Sequence, residues 1–175
     1  MSAPIRRLTW WSGLAFLLIA SIIVTLDQIS KEWIRFNIPV NDSLPEIGNL
    51  VIVHIQNTGS AFGLFSNQAF LLSIVAIAGL IVVLIFFRYF SELGLLGGIA
   101  LSFIFAGALG NLIDRLKFGY VTDFIYVRLW GDFFWPAFNV ADSAITVGAI
   151  SLAVISLVKM GKKDESKPES GKKEA

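Results

Sequence analysis

Two acidic residues stand where acids are costly. Asp123, in Val121-Thr122-Asp123-Phe124, and Asp142, in Phe138-Asn139-Val140-Ala141-Asp142, both lie among apolar and aromatic residues, and the second sits in a run that stays apolar to Val158. A carboxylate at membrane depth costs about 2.5 kcal/mol or more unless it is paired, hydrated or used. Two brought together would share a proton, since each negative charge raises the other's pKa. A carboxyl pair of that kind can activate water without a metal, a serine or a cysteine.

The rest of the composition narrows the chemistry. There is no Cys, which excludes thiol nucleophiles, thiolate metal sites and disulfides, and a single His, His54, argues against a His-rich metal site or a Ser–His–Asp triad. No metal-ligand set and no cofactor motif is visible, and no nucleic-acid partner is expected. Gly107-Ala108-Leu109-Gly110 is a packing feature, because no Lys-Ser/Thr follows it as a phosphate loop requires. Ser30-Lys31 is not a Ser–Lys hydrolase pair, because adjacent residues on a helix diverge by about 100°. With 55% hydrophobic residues, 15% charged residues and a mean hydropathy of +0.73, the chain is expected to be a membrane protein.

Four apolar runs can position the acids, over residues 8–26, 70–90, 93–113 and 138–158. Each is long enough to cross about 30 Å of hydrocarbon. The first follows Arg6 and Arg7, as a signal peptide would. Its length and its exit into Asp27-Gln28-Ile29-Ser30-Lys31, with no small-residue cleavage site, predict a retained helix. Trp10 and Trp11 suit the interface. The two-residue link Ser91-Glu92 predicts an antiparallel helical hairpin between the second and third runs. The third run, rich in Gly and Ala, is expected at the bundle centre and to end at Asp114-Arg115. Between the helices, the β-branched stretch Leu50–Ile55 reads as a strand followed by a turn at Gln56-Asn57-Thr58-Gly59, and 124–130 with 133–138 reads as a β-hairpin. The expected fold is an all-α integral membrane protein with four transmembrane helices and a small extracytoplasmic antiparallel sheet. Residues 1–160 would form one membrane-embedded domain, and 161–175 a disordered cytoplasmic tail. Nine of the 14 Lys and Arg residues fall at the N-terminus, near Arg88 or in the tail. The positive-inside rule then puts both termini in the cytoplasm and both acids on the outer side.

The remaining polar residues form pairs at helical spacing. Asp27 and Lys31 are i, i+4, read as an end-of-helix ion pair with Lys31 snorkelling outward. Asn111 and Arg115 share a face of the third helix. They would either cap the helix, with Arg115 touching headgroups, or fix the loop leading to Asp123, or bind a lipid phosphate; spacing does not choose. Asn139 and Asp142 are i, i+3 at the start of the fourth helix, where the helix N-terminus favours a charged carboxylate. Taken singly, Asp142 reads as a helix-end charge and Asp123 as a loop residue bonded to backbone amides; their shared side raises the paired reading. His54 reads as a packed or interfacial side chain.

Taken in order, Asp27-Gln28-Ile29-Ser30-Lys31, Asn57-Thr58-Gly59-Ser60-Ala61-Phe62, the stretch Gly107 to Arg115, Val121-Thr122-Asp123-Phe124 and Phe138 to Asp142 resemble the lipoprotein signal peptidase (signal peptidase II) family. Each stretch alone is weak; five in order are specific, and they span Asp27 to Asp142. The resemblance implies an aspartic endopeptidase of the bacterial inner membrane that cuts a prolipoprotein before its diacylglyceryl-modified cysteine. It implies Asp123 and Asp142 as the catalytic pair, and binding or supporting roles for Asp27, Lys31, Asn57, Asn111, Arg115 and Asn139. Lipidated precursor and membrane lipids are the implied partners, with a monomer expected. A small ion- or proton-coupled transporter using Asp27, Asp123 and Asp142 as relay groups is the competing class. It is disfavoured because the polar residues gather at one interface instead of lining a path. A membrane assembly factor that docks through the aromatic hairpin is a third.

Overall fold

The computed structural model describes residues 10–45, 48–59, 68–90, 94–131 and 133–165. Four helices, α1 (Trp10–Asn37), α2 (Ala69–Phe90), α3 (Leu95–Phe118) and α4 (Val140–Glu165), accompany three strands, β1 (Leu50–Asn57), β2 (Val121–Trp130) and β3 (Phe133–Phe138). All four helices are long and apolar enough to cross a membrane.

The expected positions of the helices hold, but their ends do not. The first helix, expected over 8–26, continues to Asn37, so the motif from Asp27 to Lys31 lies inside it; residues 1–9 lie outside the described residues. The polar stretch does not stop the helix because Asp27 and Lys31 are both fully buried and find partners on neighbouring elements. For the same reason Asp114-Arg115 does not end α3. That helix runs one turn further, to Gly119, which takes the left-handed conformation (φ 77°) and donates its N–H to the Arg115 carbonyl. Helix α4 reaches Glu165, so residues 161–165, expected in the tail, are helical, while 166–175 and the Ser91-Glu92 link lie outside the described residues.

α3 sits at the centre, packed against each of the other three helices. Half of its apolar span is buried, against 22%, 17% and 11% for the spans of α1, α2 and α4. Its small residues allow this. A Cβ on Gly107 would collide with the Ala141 carbonyl oxygen, and at Gly148 of α4 one would come within 2.6 Å of the Ala100 carbonyl oxygen. Backbones meet there without intervening side chains, the way helices associate where lipid removes the hydrophobic drive. Ala20 and Ile23 of α1 join Ala106 and Ala144 in the same core, while Leu17, Ile22, Phe70, Ile85 and Leu157 point away from the bundle.

The strands form one antiparallel sheet in the order β1-β2-β3. β1 continues into the first half of the expected turn, since Gln56 and Asn57 pair with Thr122 and Val121. Between Ile52 (opposite Ile125) and Ile55 (opposite Asp123), β1 carries one extra residue, a bulge that turns His54 inward. Phe124 packs with Ile34 of α1 and Ile38 just beyond it, with Ile52, Ile125 and Val140 around them, and this fixes the sheet over the ends of α1 and α4.

Candidate active site

Asp123 is a strand residue, not a loop residue. Asn57 lies opposite Val121, so Asp123, two positions along β2, is its diagonal neighbour on the same face. The Asn57 amide donates to Asp123 Oδ2 at 2.8 Å, and Asn57 Oδ1 accepts the Gly59 N–H at 2.9 Å, which settles which way that amide points. Phe124 faces the other way, into the apolar contact with α1, so the strand's alternation aims Asp123 at the helix ends.

Asn139 immediately precedes α4 and acts as its cap. Its Oδ1 accepts the Asp142 N–H at 2.9 Å while Asp142 Oδ2 accepts the Asn139 N–H at 3.2 Å, the reciprocal arrangement of a capping box with an acid at the third position. With its oxygen so engaged, the Asn139 amide turns its NH2 toward Asp123 and donates to Oδ1 at 2.7 Å. One residue thus holds both carboxyl groups, Asp123 through its side-chain amide and Asp142 through its backbone N–H. Burial foremost, and then the charge of Asp142, pushes the Asp123 carboxyl up to about 7, against the opposing pull of the Asn57 and Asn139 bonds and of Lys31.

The second oxygen of Asp142 is held from α3. Asn111 Nδ2 donates to Asp142 Oδ1 at 2.7 Å, and Asn111 Oδ1 accepts from Lys31 Nζ at 2.9 Å and from Asn139 Nδ2 at 3.2 Å. Lys31 does not snorkel: it is fully buried, 2.9 Å from Asp27 Oδ2 and 3.4 Å from Asp114 Oδ2. The expectation of an outward-reaching lysine fails because the helix continues and carries Lys31 in against α3. Gly110 makes room for the pair, since a Cβ there would lie 2.6 Å from Asp27 Oδ2.

Seven of the eight residues singled out from the sequence therefore form one hydrogen-bonded network: Asp27, Lys31, Asn57, Asn111, Asp123, Asn139 and Asp142. Arg115 stands beside it, its Nη2 3.3 Å from the Gly59 carbonyl oxygen at the end of β1, so it braces that loop and not the one leading to Asp123. His54 is buried, its Nδ1 2.7 Å from the Ile38 carbonyl oxygen, a packed histidine as expected. Sequence reasoning missed Gln28, Arg35 and Thr122 and gave Asp114 only a helix end. Arg35 donates to Thr122 Oγ1 at 2.9 Å and approaches Asp114 at 3.6 Å; Gln28 reaches Asp27, Asp114 and the Gly110 carbonyl. The signal was available in the spacing 27, 28, 31, 35, one polar stripe on a continuing helix. Among the described residues no group of three or more His, Cys, Asp or Glu side chains is placed to hold a metal ion.

The chain as a whole is similar to known membrane proteins. The family model for signal peptidase (SPase) II matches residues 19–158. The lipoprotein signal peptidase of Moorella thermoacetica is 43% identical over 138 residues, covering 78% of this chain and 89% of the relative. That of Shewanella baltica is 36% identical over 176 residues, covering 95% and 99%. A solved bacterial membrane enzyme, determined by the in meso method, superposes with a TM-score of 0.78 at 36% identity over 90% of this chain and 94% of its own. By the extent of the family match and the identity to full-length relatives, the chain belongs to the signal peptidase II family.

Proposed function

We propose that the protein is a membrane aspartic endopeptidase that removes the signal peptide from diacylglyceryl-modified prolipoproteins, cutting before the lipidated cysteine, with Asp123 and Asp142 as the catalytic pair. The observation that carries this reading is the double engagement of Asn139, which bonds Asp123 through its amide and Asp142 through its backbone N–H and side-chain oxygen. A buried and a half-buried carboxyl held by one residue are poised to share a proton, and an Asp123 carboxyl near 7 suits proton exchange at neutral pH.

In the reaction the ionised member of the pair takes a proton from a water as its oxygen attacks the scissile carbonyl. The protonated member donates to the developing oxyanion; as the C–N bond breaks, the proton gained by the first passes to the leaving amine and the reforming carbonyl returns its proton to the second. The coupled pair titrates as a unit. Asn57, Asn111 and Asn139 keep the carboxyl oxygens aimed, and Arg115 braces the end of β1 beside them. The excess of Lys and Arg at the two termini supports a topology with both ends cytoplasmic and the sheet and dyad on the outer side, at the depth of a diacylglyceryl group in the outer leaflet. Residues 1–160 would act as a single domain, as a monomer. The test is incubation of the purified protein with a diacylglyceryl-modified precursor and with its unlipidated form: cleavage of the first alone is expected. Cleavage of both would remove the lipid from the recognition, and cleavage of neither, with proton flux in liposomes, would favour the transporter class.

A further inference from the structure

The buried cluster beneath the dyad has a symmetry that no single pair explains. Asp27 Oδ1 accepts the N–H of Ala141 at 2.9 Å, and Asp114 Oδ2 accepts the N–H of Thr122 at 3.0 Å. Ala141 is the residue before Asp142, and Thr122 the residue before Asp123. The two accepting carboxylates come from different helices, α1 and α3, and both bind the same ammonium, Lys31. Lys31 in turn donates to Asn111 Oδ1, which leaves the Asn111 NH2 to face Asp142.

We propose that Asp27, Lys31 and Asp114 form a positioning triad for the dyad, in which each carboxylate clamps the backbone N–H preceding one of the two aspartates and Lys31 ties the clamps to one another. The inference rests on the peptidase reading above. It adds Asp114 as a residue the reaction depends on, and it gives Asp27 and Lys31 a stated task.

Energetics favour this over a merely stabilising ion cluster. Three fully buried charges carry a desolvation penalty that an apolar replacement of similar volume would avoid, so a buried ion pair is weak evidence for stability. What apolar residues cannot supply is an acceptor for two specific backbone donors and a fixed orientation for the Asn111 amide. Asp27 and Asp114 face Lys31 and Arg35 from α1, with Gln28 donating to both acids, while Arg115, bonded toward β1, also faces Asp142, Asp123 and Asp114 with its charge. Lys31 is no candidate nucleophile or base, because Asp27, Asn111 and Asp114 all crowd its Nζ.

The test uses the full chain in detergent, with initial rates on the lipidated precursor and thermal unfolding followed in parallel. Asp114→Ala frees the Thr122 N–H. Because a misplacement near 1 Å at the reacting atoms costs about a hundredfold, kcat should fall by about that factor with KM within about threefold. Asp114→Asn keeps an oxygen for Thr122 and should recover about tenfold of the loss. Lys31→Gln removes a positive charge that favours ionised Asp123, so the flank of the pH–rate profile near pH 7 should move upward, a change that loss of packing alone would not give. An Asp114→Ala protein that unfolds like wild type and keeps its kcat overturns the proposal, as does Asp114→Asn no better than Asp114→Ala. If Asp114→Ala does not fold, the Lys31→Gln profile decides, and an unmoved flank overturns it. Wild-type protein that is folded but cleaves nothing would instead sink the peptidase reading.

Discussion

Replacing Asn139 by Ser separates the two jobs of that residue. A serine hydroxyl still caps α4 by accepting the Asp142 N–H, since Ser and Asn are comparable caps. It has no amide to reach Asp123 Oδ1, so the 2.7 Å bond is lost. Asn139 is fully buried and Asp123 only 2% exposed, so bulk water does not replace the bond freely. A hydrogen bond to a charged group contributes about 1.5–3 kcal/mol. At 1.36 kcal/mol per pKa unit this corresponds to about one to two units. The lost bond favours the ionised form, so its removal raises the Asp123 pKa from about 7 toward 8 or above. In a profile of kcat/KM against pH on the lipidated precursor, the flank near 7 should therefore move up by about one unit or more, whichever limb of the bell Asp123 sets. The unfolding midpoint should fall with the loss of this buried bond, and Asn139→Ala should lose about 1 kcal/mol of cap in addition. A serine variant with the flank unmoved would refute the claim that Asn139 tunes Asp123, and with it the account of the site as a coupled pair.

Other perturbations follow from the same geometry. Asp123→Asn and Asp142→Asn should each abolish precursor cleavage while the protein remains membrane-inserted; residual proteolysis in either pure variant would reject the dyad. Chelator should leave the rate unchanged, and a loss reversed by a divalent ion would show a metal at work. Stability should fall as pH rises from about 4 to about 7, because unfolded Asp123 releases its proton near 3.8 while the folded residue holds it to about 7. Comparing unfolding midpoints at pH 5 and pH 8 should show this drop in wild type and a smaller one in Asp123→Asn. Gly107→Ala, which drives a methyl into the Ala141 carbonyl, should cost about 1–3 kcal/mol; unchanged unfolding would mean that α3 and α4 separate easily.

The membrane spans and the strands were legible because composition and β-branching act locally. Leu50–Ile55 is strand by its own residues, and the fourth run is a helix by its own hydropathy. The helix ends were not legible, because they depend on partners far along the chain. Lys31 inside a helix looks like a residue in search of water until Asp114, 83 positions away, is known to lie 3.4 Å from it. The side-chain spacing of Asn139 and Asp142 announced a helix start, yet gave no hint that the free half of the amide would point at Asp123. That contact depends on the register of β2 with β3, in which Ile125 lies opposite Phe138, and the irregularity between Ile125 and Val127 resets that register.

Helix-end electrostatics explain why so polar a set can sit beside so apolar a bundle. α1 and α3 bring their C-terminal turns to the sheet, and α4 brings its N-terminus. Cations are favoured at the first two ends and anions at the third. The residues comply: Arg35 lies in the last turn of α1, Arg115 and Lys117 in the last turn of α3, and Asp142 in the first turn of α4. Reversing the direction of α4 would set the carboxylate against the partial negative charge of a helix C-terminus and remove the cap on which Asn139 depends. Three helices meeting with their dipoles arranged in this way admit an acid pair at one rim of the bundle and nowhere along its middle. The apolar stretches of α2 and α3 accordingly carry no charge between Ala69 and Phe87 or between Leu95 and Ile113, and the polar network lies at the end where the sheet closes over it.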